Sequence, residues 1–228
     1  MSFWKHLRIP LLAFTCANVL LVVGRSILDP TIGKQTVTPN VFPSAVPLPQ
    51  WQPVASNPLE NKTADPPLVG ELALPGRHYR YIQNGLPLDI KMRYEVQTNG
   101  DVKQLIRNHA DIRFPRNQPL VVVREQERVG FYGLFVHQKR AYLDACINPR
   151  GGSTFTAEQF SHNRNHYDVQ FARLLPWLLG QQKLRDKRCL WAHLSIPLNQ
   201  SSQQEAYDVL ENAWFSWYQW WLPRFPKS

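Results

Sequence analysis

Residues 79–96 read YRYIQNGLPLDIKMRYEV, and this stretch decides the fold. Both of its ends are rich in aromatic and β-branched residues, which favour extended strands. Asn84-Gly85 lies between them, and this dipeptide is the strongest short-range signal for a two-residue hairpin turn. The stretch therefore predicts two antiparallel strands, 79–82 and 88–96, that follow each other directly.

The same pattern continues along the chain. Further strands are predicted at 120–124, 129–137, 140–146 and 189–196. Gln138-Lys139 is the expected turn of a second hairpin, and Pro197 ends the last strand. Successive strands joined by short turns favour an antiparallel sheet.

Helices are predicted between and after these strands. A short helix over 102–109 follows Asp101, which is a good N-cap residue. Thr156 and Gln159 form a capping box for a longer helix, whose apolar spacing continues until Gly180 ends it. The fold class is therefore α+β, an antiparallel sheet with packed helices.

The last predicted helix covers 202–222 and is rich in aromatic residues. One apolar face follows steps of three and four through Tyr207, Leu210, Trp214, Trp217 and Trp221. Phe215, Tyr218 and Trp220 are expected to project elsewhere. Two interpretations remain open for the aromatic residues. One is core packing, and the other is contact with a membrane or a partner, with Trp217 and Trp220 as recognition residues.

The N-terminus carries an uncharged run over residues 9–24. As a helix this run is about 24 Å long, which is shorter than the ~30 Å hydrocarbon core, and apolar flanks extend it. Lys5, His6 and Arg8 precede it and favour a cytoplasmic N-terminus with the rest of the chain exported. We expect residues 1–29 to form an uncleaved, single-pass transmembrane helix in membrane lipid. A cleaved signal peptide and a buried helix of a soluble protein are the alternatives.

Residues 30–75 hold ten of the nineteen prolines. Proline fixes φ and removes a backbone donor, so this segment is predicted to be an extended stalk. Phe42, Leu48 and Trp51 within it are expected to dock on the folded domain. The α+β domain itself is predicted to cover residues 76–228, on the periplasmic side of the membrane.

The net charge is +9, but the basic residues are scattered and no nucleic-acid-binding motif accompanies them. We therefore expect no nucleic-acid partner. The three cysteines include no CxxC pair, and His162 with His166 lacks a third ligand, so no metal is expected. The sequence 151–154 lacks the lysine and the spacing of a phosphate-binding loop, so no cofactor is expected either.

Residues 142–154, YLDACINPRGGST, contain the candidate site. Nucleophilic cysteine catalysis needs a thiolate, a base and donors for an oxyanion. Cys146 is the candidate thiol, and Arg150 with the N–H groups of Gly151 and Gly152 the candidate oxyanion donors. The base would be one of three histidines, His162, His166 or His193.

Non-catalytic roles for the same residues also remain open. Cys146 lies in a run typical of a buried strand, where cysteine is commonly inert. Export would also make a disulfide between Cys146 and Cys189 chemically possible. The two glycines favour a tight turn with positive φ. Such a turn is a candidate recognition loop formed by Asn148, Arg150 and the glycines.

Several segments together resemble the cyanobacterial exosortase-associated proteins. They are Phe42-Pro43 with Trp51, residues 78–82, residues 146–153, residues 190–194 and residues 213–221. They extend over nearly the whole chain. The family places a cysteine before a Pro/Gly turn, which Cys146 and residues 149–152 match, while Ile147, Asn148 and Arg150 depart from the wider pattern.

The resemblance implies a membrane-anchored accessory protein that works beside a multi-spanning exosortase. That enzyme processes exported proteins with a C-terminal sorting signal of the PEP-CTERM type, and related domains occur in exopolysaccharide systems. The partners would be the exosortase, its sorted substrates and membrane lipid. The first hypothesis is therefore a non-enzymatic sorting factor. The alternative is a thiol-dependent transferase or hydrolase of the same pathway that uses Cys146.

Overall fold

A computed structural model describes residues 3–28, 42–59, 76–114, 121–178, 183–198 and 202–226. These residues form seven strands and five helices, in agreement with the predicted α+β class. The strands are β1 (Gln52–Pro58), β2 (Gly76–Gln83), β3 (Leu86–Glu95), β4 (Val122–Gln126), β5 (Gly130–His137), β6 (Arg140–Ile147) and β7 (Cys189–Pro197). They pair antiparallel in one sheet of order β1-β2-β3-β7-β6-β5-β4.

Both predicted hairpins are confirmed. Asn84 and Gly85 have positive φ between β2 and β3, and Gln138 and Lys139 do so between β5 and β6. Positive φ at both central residues matches the right-handed twist of the flanking strands. These turns therefore set the register of the two hairpins.

The helices are α1 (Phe3–Leu28), α2 (Val102–His109), α3 (Ala157–Tyr167), α4 (Phe171–Leu178) and α5 (Gln203–Trp221). The expected caps of α2 and α3 are present, Asp101 on α2 and the box of Thr156 and Gln159 on α3. The single long helix predicted after Thr156 is wrong, because α3 ends at Tyr167. Asp168 follows α3, and its carboxylate accepts the backbone N–H of Asp186 at 2.7 Å.

The main core lies between one face of the sheet and α5. Alternate residues of β3, β6 and β7 point toward α5, such as Ile90, Leu143 and Leu194, and all three are fully buried. The predicted stripe of α5 is buried here, which confirms that it covers the sheet. Tyr218 is also buried, contrary to prediction, and its hydroxyl donates to the carbonyl of Gly151 at 3.2 Å.

The opposite face of the sheet has a second, smaller core. It comprises Val102, Leu105, Ile106, Ile112, Phe135, Tyr142, Cys146, Phe155, Phe160, Cys189 and Trp191. Residues of α2 and α3 cover this part of the face. Further along the same strands polar side chains replace the apolar ones and line an open cleft.

Part of the predicted stalk belongs to the folded domain. Phe42, Leu48 and Trp51 are buried in the main core, as expected, and β1 extends the sheet by an edge strand. Tyr79 and Tyr81 each donate a hydroxyl hydrogen bond to carbonyls of the incoming chain, at 2.9 and 2.7 Å. The domain therefore begins by residue 42 rather than at 76. The remaining stalk residues, 30–41 and 60–75, lie outside the described part.

The chain divides into two compact units. One contains α1 and α4, and the other contains the sheet with α2, α3 and α5. In α1 the side chains described between Arg8 and Val23 are exposed, including those of Phe14 and Leu20. Among the described residues, no helix combines the length and the apolar character needed to cross a membrane.

Candidate functional site

The cysteine of the candidate site is bonded to another cysteine. Cys146 near the end of β6 and Cys189 at the start of β7 form a disulfide with a Cα–Cα distance of 5.6 Å. Both are fully buried beside Trp191 in the smaller core. A sulfur in a disulfide is not a thiolate, so Cys146 cannot act as a nucleophile while this bond is intact. Its assignment as catalytic thiol therefore disagrees with the structure.

The turn after β6 is held by its own polar groups. Asn148 is buried, and its side-chain amide donates to the carbonyl of Gly152 at 2.7 Å and to Thr154 Oγ1 at 3.3 Å. Gly151 has a φ of +73°, and a Cβ there would collide with Asn163 and Tyr167. The glycine is thus required by backbone conformation and by space. Asn148 has a structural role instead of the predicted recognition role.

Arg150 is bound within the protein. Its Nε donates to Asp168 at 2.7 Å and its Nη2 contacts Asp186 at 3.4 Å. Asn163 Nδ2 also donates to the Arg150 carbonyl at 2.8 Å. The guanidinium therefore attaches the turn to the chain after α3, and it is not free to hold an oxyanion.

A groove of about 800 Å³ opens beside the turn. Gly151, Gly152 and Ser153 form one side of it, and the region between β4 and β5 together with α3 forms the others. Its polar lining includes Glu125, Gln126, Glu127, Arg128, Thr154, Glu158, Gln159, His162, Asn163, His166, Tyr167 and Tyr218. The structure thus brings the predicted glycines and two predicted histidines to one cavity. The three glutamates were missed, because Glu125 and Glu127 are more than thirty positions from Glu158 in the sequence and no common motif connects them.

His193, the third candidate base, lies at a different place. On β7 its register partner on β6 is Asp144, whereas Trp191 stands opposite Cys146. His193 Nδ1 lies 2.9 and 3.0 Å from the two carboxylate oxygens of Asp144, and Trp191 Nε1 donates to Asp144 at 3.0 Å. Burial raises the pKa of Asp144, and the charge of His193 opposes this shift.

His193 faces a polar cleft of about 460 Å³. Lys91 on β3 is its register partner, and Asp89 lies two residues away on the same face. Asp89 accepts hydrogen bonds from His78 at 2.9 Å, Arg80 at 3.2 Å and Arg140 at 2.8 Å. Burial alone would raise the pKa of Asp89, but its bonds to His78 and Arg80 and the nearby Arg140 charge hold that pKa well below its ordinary value.

This cleft was missed although the sequence contains a signal for it. Polar residues occupy every second position of strands whose other positions are apolar. They are Asp89 and Lys91 on β3, Asp144 on β6, and His193 and Ser195 on β7. A strand with such alternation places its polar residues on one face. Which strands are neighbours, however, is not readable from the alternation.

The two tryptophans predicted to recognise a partner have different environments. Trp217 is fully buried, and its ring lies 5.1 Å from that of Tyr79, so it is a core residue and the recognition role is wrong. Trp220 is half-buried, with Trp221 on one side and the Arg224 guanidinium 4.5 Å from its ring centre. It also lines a shallow depression beside Leu48 and Trp51.

No group of three or more His, Cys, Asp or Glu side chains within the described ranges is arranged to hold a metal ion. Comparison of the chain with family models, with curated proteins and with solved structures finds no match. The functional argument therefore depends on the residues themselves.

Proposed function

We propose that the chain is a membrane-anchored accessory protein of an exosortase-type sorting system, and that it positions exported proteins instead of cleaving them. One observation carries the proposal. One of the segments that contribute to the resemblance, residues 146–153, is a disulfide-linked, internally hydrogen-bonded turn that forms a side of an open groove. Such a rigid wall suits recognition, and it presents no thiolate to a substrate while the disulfide is intact.

The groove supports a binding role through its charge. Glu125, Glu127 and Glu158 line it against a single arginine, Arg128, so the carboxylates outnumber the guanidinium although the whole chain has a net charge of +9. A positively charged or polar segment of a partner is therefore the complementary occupant. The sorted substrates and the exosortase itself are the proposed partners, and no cofactor takes part.

We propose residues 1–29 as the anchor on the strength of their sequence, although no helix meets the criteria of a membrane span within the described residues. The uncharged run 9–24 lies within α1, and large apolar side chains such as Leu12 and Phe14 are exposed on it. Lys5 and Arg8 precede the run, which favours a cytoplasmic N-terminus and a periplasmic domain. Alkaline carbonate extraction of membranes should leave the chain in the pellet, and release into the supernatant would contradict the anchor.

The sorting role is tested with two matched sets of substitutions. The double change Cys146→Ser and Cys189→Ser should preserve processing of a sorting-signal reporter wherever the protein level and folding are normal. The matched change is Cys189→Ser alone, which also removes the disulfide but keeps the Cys146 sulfur. Loss of processing in the double variant but not in Cys189→Ser, at normal protein level and circular dichroism, would instead support the thiol-dependent alternative.

The groove is tested by reversing its charge. Glu127→Lys with Glu158→Lys should reduce processing and cross-linking of the reporter to a photoreactive residue at position 162. The control is Asp208→Lys, because Asp208 is an exposed carboxylate on α5 outside the groove. Equal processing and cross-linking in the two variants would contradict recognition through the groove.

A further inference from the structure

The helix α4 exposes an apolar surface. Phe171, Leu174, Leu175 and Leu178 follow the spacing of one helical face, and none of the eight residues of α4 is buried. Phe171 is 91% exposed, Leu175 63% and Leu178 67%. Several neighbouring exposed apolar side chains on a short helix mark a site of contact with a membrane or with another apolar surface.

The charges around α4 indicate which partner it contacts. Residues 169–184 contain Arg173 and Lys183 and no acidic residue. Arg173 Nη2 donates to the carbonyl of Lys183 at 3.0 Å, which holds the two cationic residues close together in the chain, and Lys183 is exposed. Trp177, which is 45% exposed, is of the type enriched at membrane–water boundaries.

We propose that α4 lies in the headgroup region of an anionic bilayer, as a membrane contact separate from α1. Apolar residues on one face, flanking cations and an interfacial tryptophan together define a helix that lies on a membrane. A protein groove would need a carboxylate opposite the exposed Lys183, whereas anionic headgroups supply that charge at any position. The inference does not depend on a role in sorting.

The test uses the full chain in vesicles of phosphatidylglycerol and phosphatidylcholine. In a Cys16→Ser background, Leu178→Cys is labelled with an environment-sensitive fluorophore, and spin-labelled lipids are added as quenchers. The matched control is Gln203→Cys, an exposed first residue of α5. We expect strong quenching at 178 and little at 203. We also expect Lys183→Glu to weaken docking by about fivefold or more, as loss of a surface cation does.

Equal quenching at positions 178 and 203 would overturn the proposal, and so would unchanged quenching at 178 in vesicles of phosphatidylcholine alone. A third label at Leu20→Cys separates this result from the proposed anchor. Quenching at 178 without quenching at 20 supports α4 docking and contradicts insertion of α1. Quenching at 20 without quenching at 178 supports insertion of α1 and contradicts docking of α4.

Discussion

At the residue scale, Asp89 shows how a single carboxylate organises one face of the sheet. It lies on β3 and receives donors from His78 and Arg80 on one side and from Arg140 on the other. Since His78 and Arg80 belong to β2 and Arg140 to β6, the carboxylate links strands that are not neighbours. Its pKa is held low because these donors stabilise the charged form.

Asp89→Asn should lower the free energy of unfolding at neutral pH by about 2 kcal/mol, since charge-assisted hydrogen bonds are lost. A lowered folded-state pKa contributes stability above the unfolded pKa, near 3.8, and that contribution is lost as pH falls toward the folded value. The difference between the two proteins should thus be full above about pH 5 and shrink below about pH 4. Urea denaturation at several pH values measures it.

The control for this prediction is Asp208→Asn, because Asp208 is exposed and its side chain accepts a hydrogen bond from Gln204 of the same helix at 2.7 Å. Its effect should stay within about 0.5 kcal/mol. A pH-independent difference for Asp89→Asn would show that packing, and not the charge of Asp89, determines its contribution.

At the element scale, α5 has tryptophans in different environments. Trp217 and Trp220 are three positions apart, but Trp217 points into the main core and Trp220 lies at its rim. Trp217 packs edge-to-face with Tyr79 and Tyr81 across the sheet. The helix is therefore attached to the sheet mainly through its buried stripe.

Trp217→Ala should cost about 3–5 kcal/mol of unfolding free energy, because it removes a large buried ring and leaves a cavity. Trp220→Ala, the matched change on the same helix, should cost about 1 kcal/mol or less. Chemical denaturation followed by far-ultraviolet circular dichroism compares the two. Similar losses in both variants would contradict the assigned faces.

At the scale of the whole molecule, the incoming chain completes the domain. Phe42, Val46, Leu48 and Trp51 are all buried in the main core. The backbone carbonyls of Pro43 and Val46 in the same segment accept hydrogen bonds from the hydroxyls of Tyr79 and Tyr81, and burial raises the pKa of both tyrosines. A domain cut at residue 76 would leave these groups exposed.

A fragment 42–228 should fold, whereas a fragment 76–228 should be unstable or insoluble. Each of the four buried side chains contributes about 1.5–3 kcal/mol, so their loss is comparable to the stability of a typical domain. Thermal melting and the yield of soluble protein compare the fragments. Equal melting temperatures would show that the incoming segment is dispensable and that the predicted boundary at 76 is sufficient.

Much of the fold was predictable because its signals are local. The turns at Asn84-Gly85 and Gln138-Lys139, the capping box at Thr156 and the apolar stripe of α5 depend on residues close in sequence. The break between α3 and α4 was not predictable. It depends on Asp168, whose partners Arg150 and Asp186 are each eighteen residues away.

The candidate site, like the fold, was predictable from the sequence only in part. The sequence by itself determined the strand order in the chain, the tight turn at the two glycines and the run of apolar residues near the N-terminus. Only the tertiary structure decided that Cys146 bonds to Cys189, that Arg150 pairs with two aspartates and that His193 meets Asp144. These contacts depend on which strands are neighbours and on their register. Both are set by packing of the whole sheet against its helices, and no local pattern of residues encodes them.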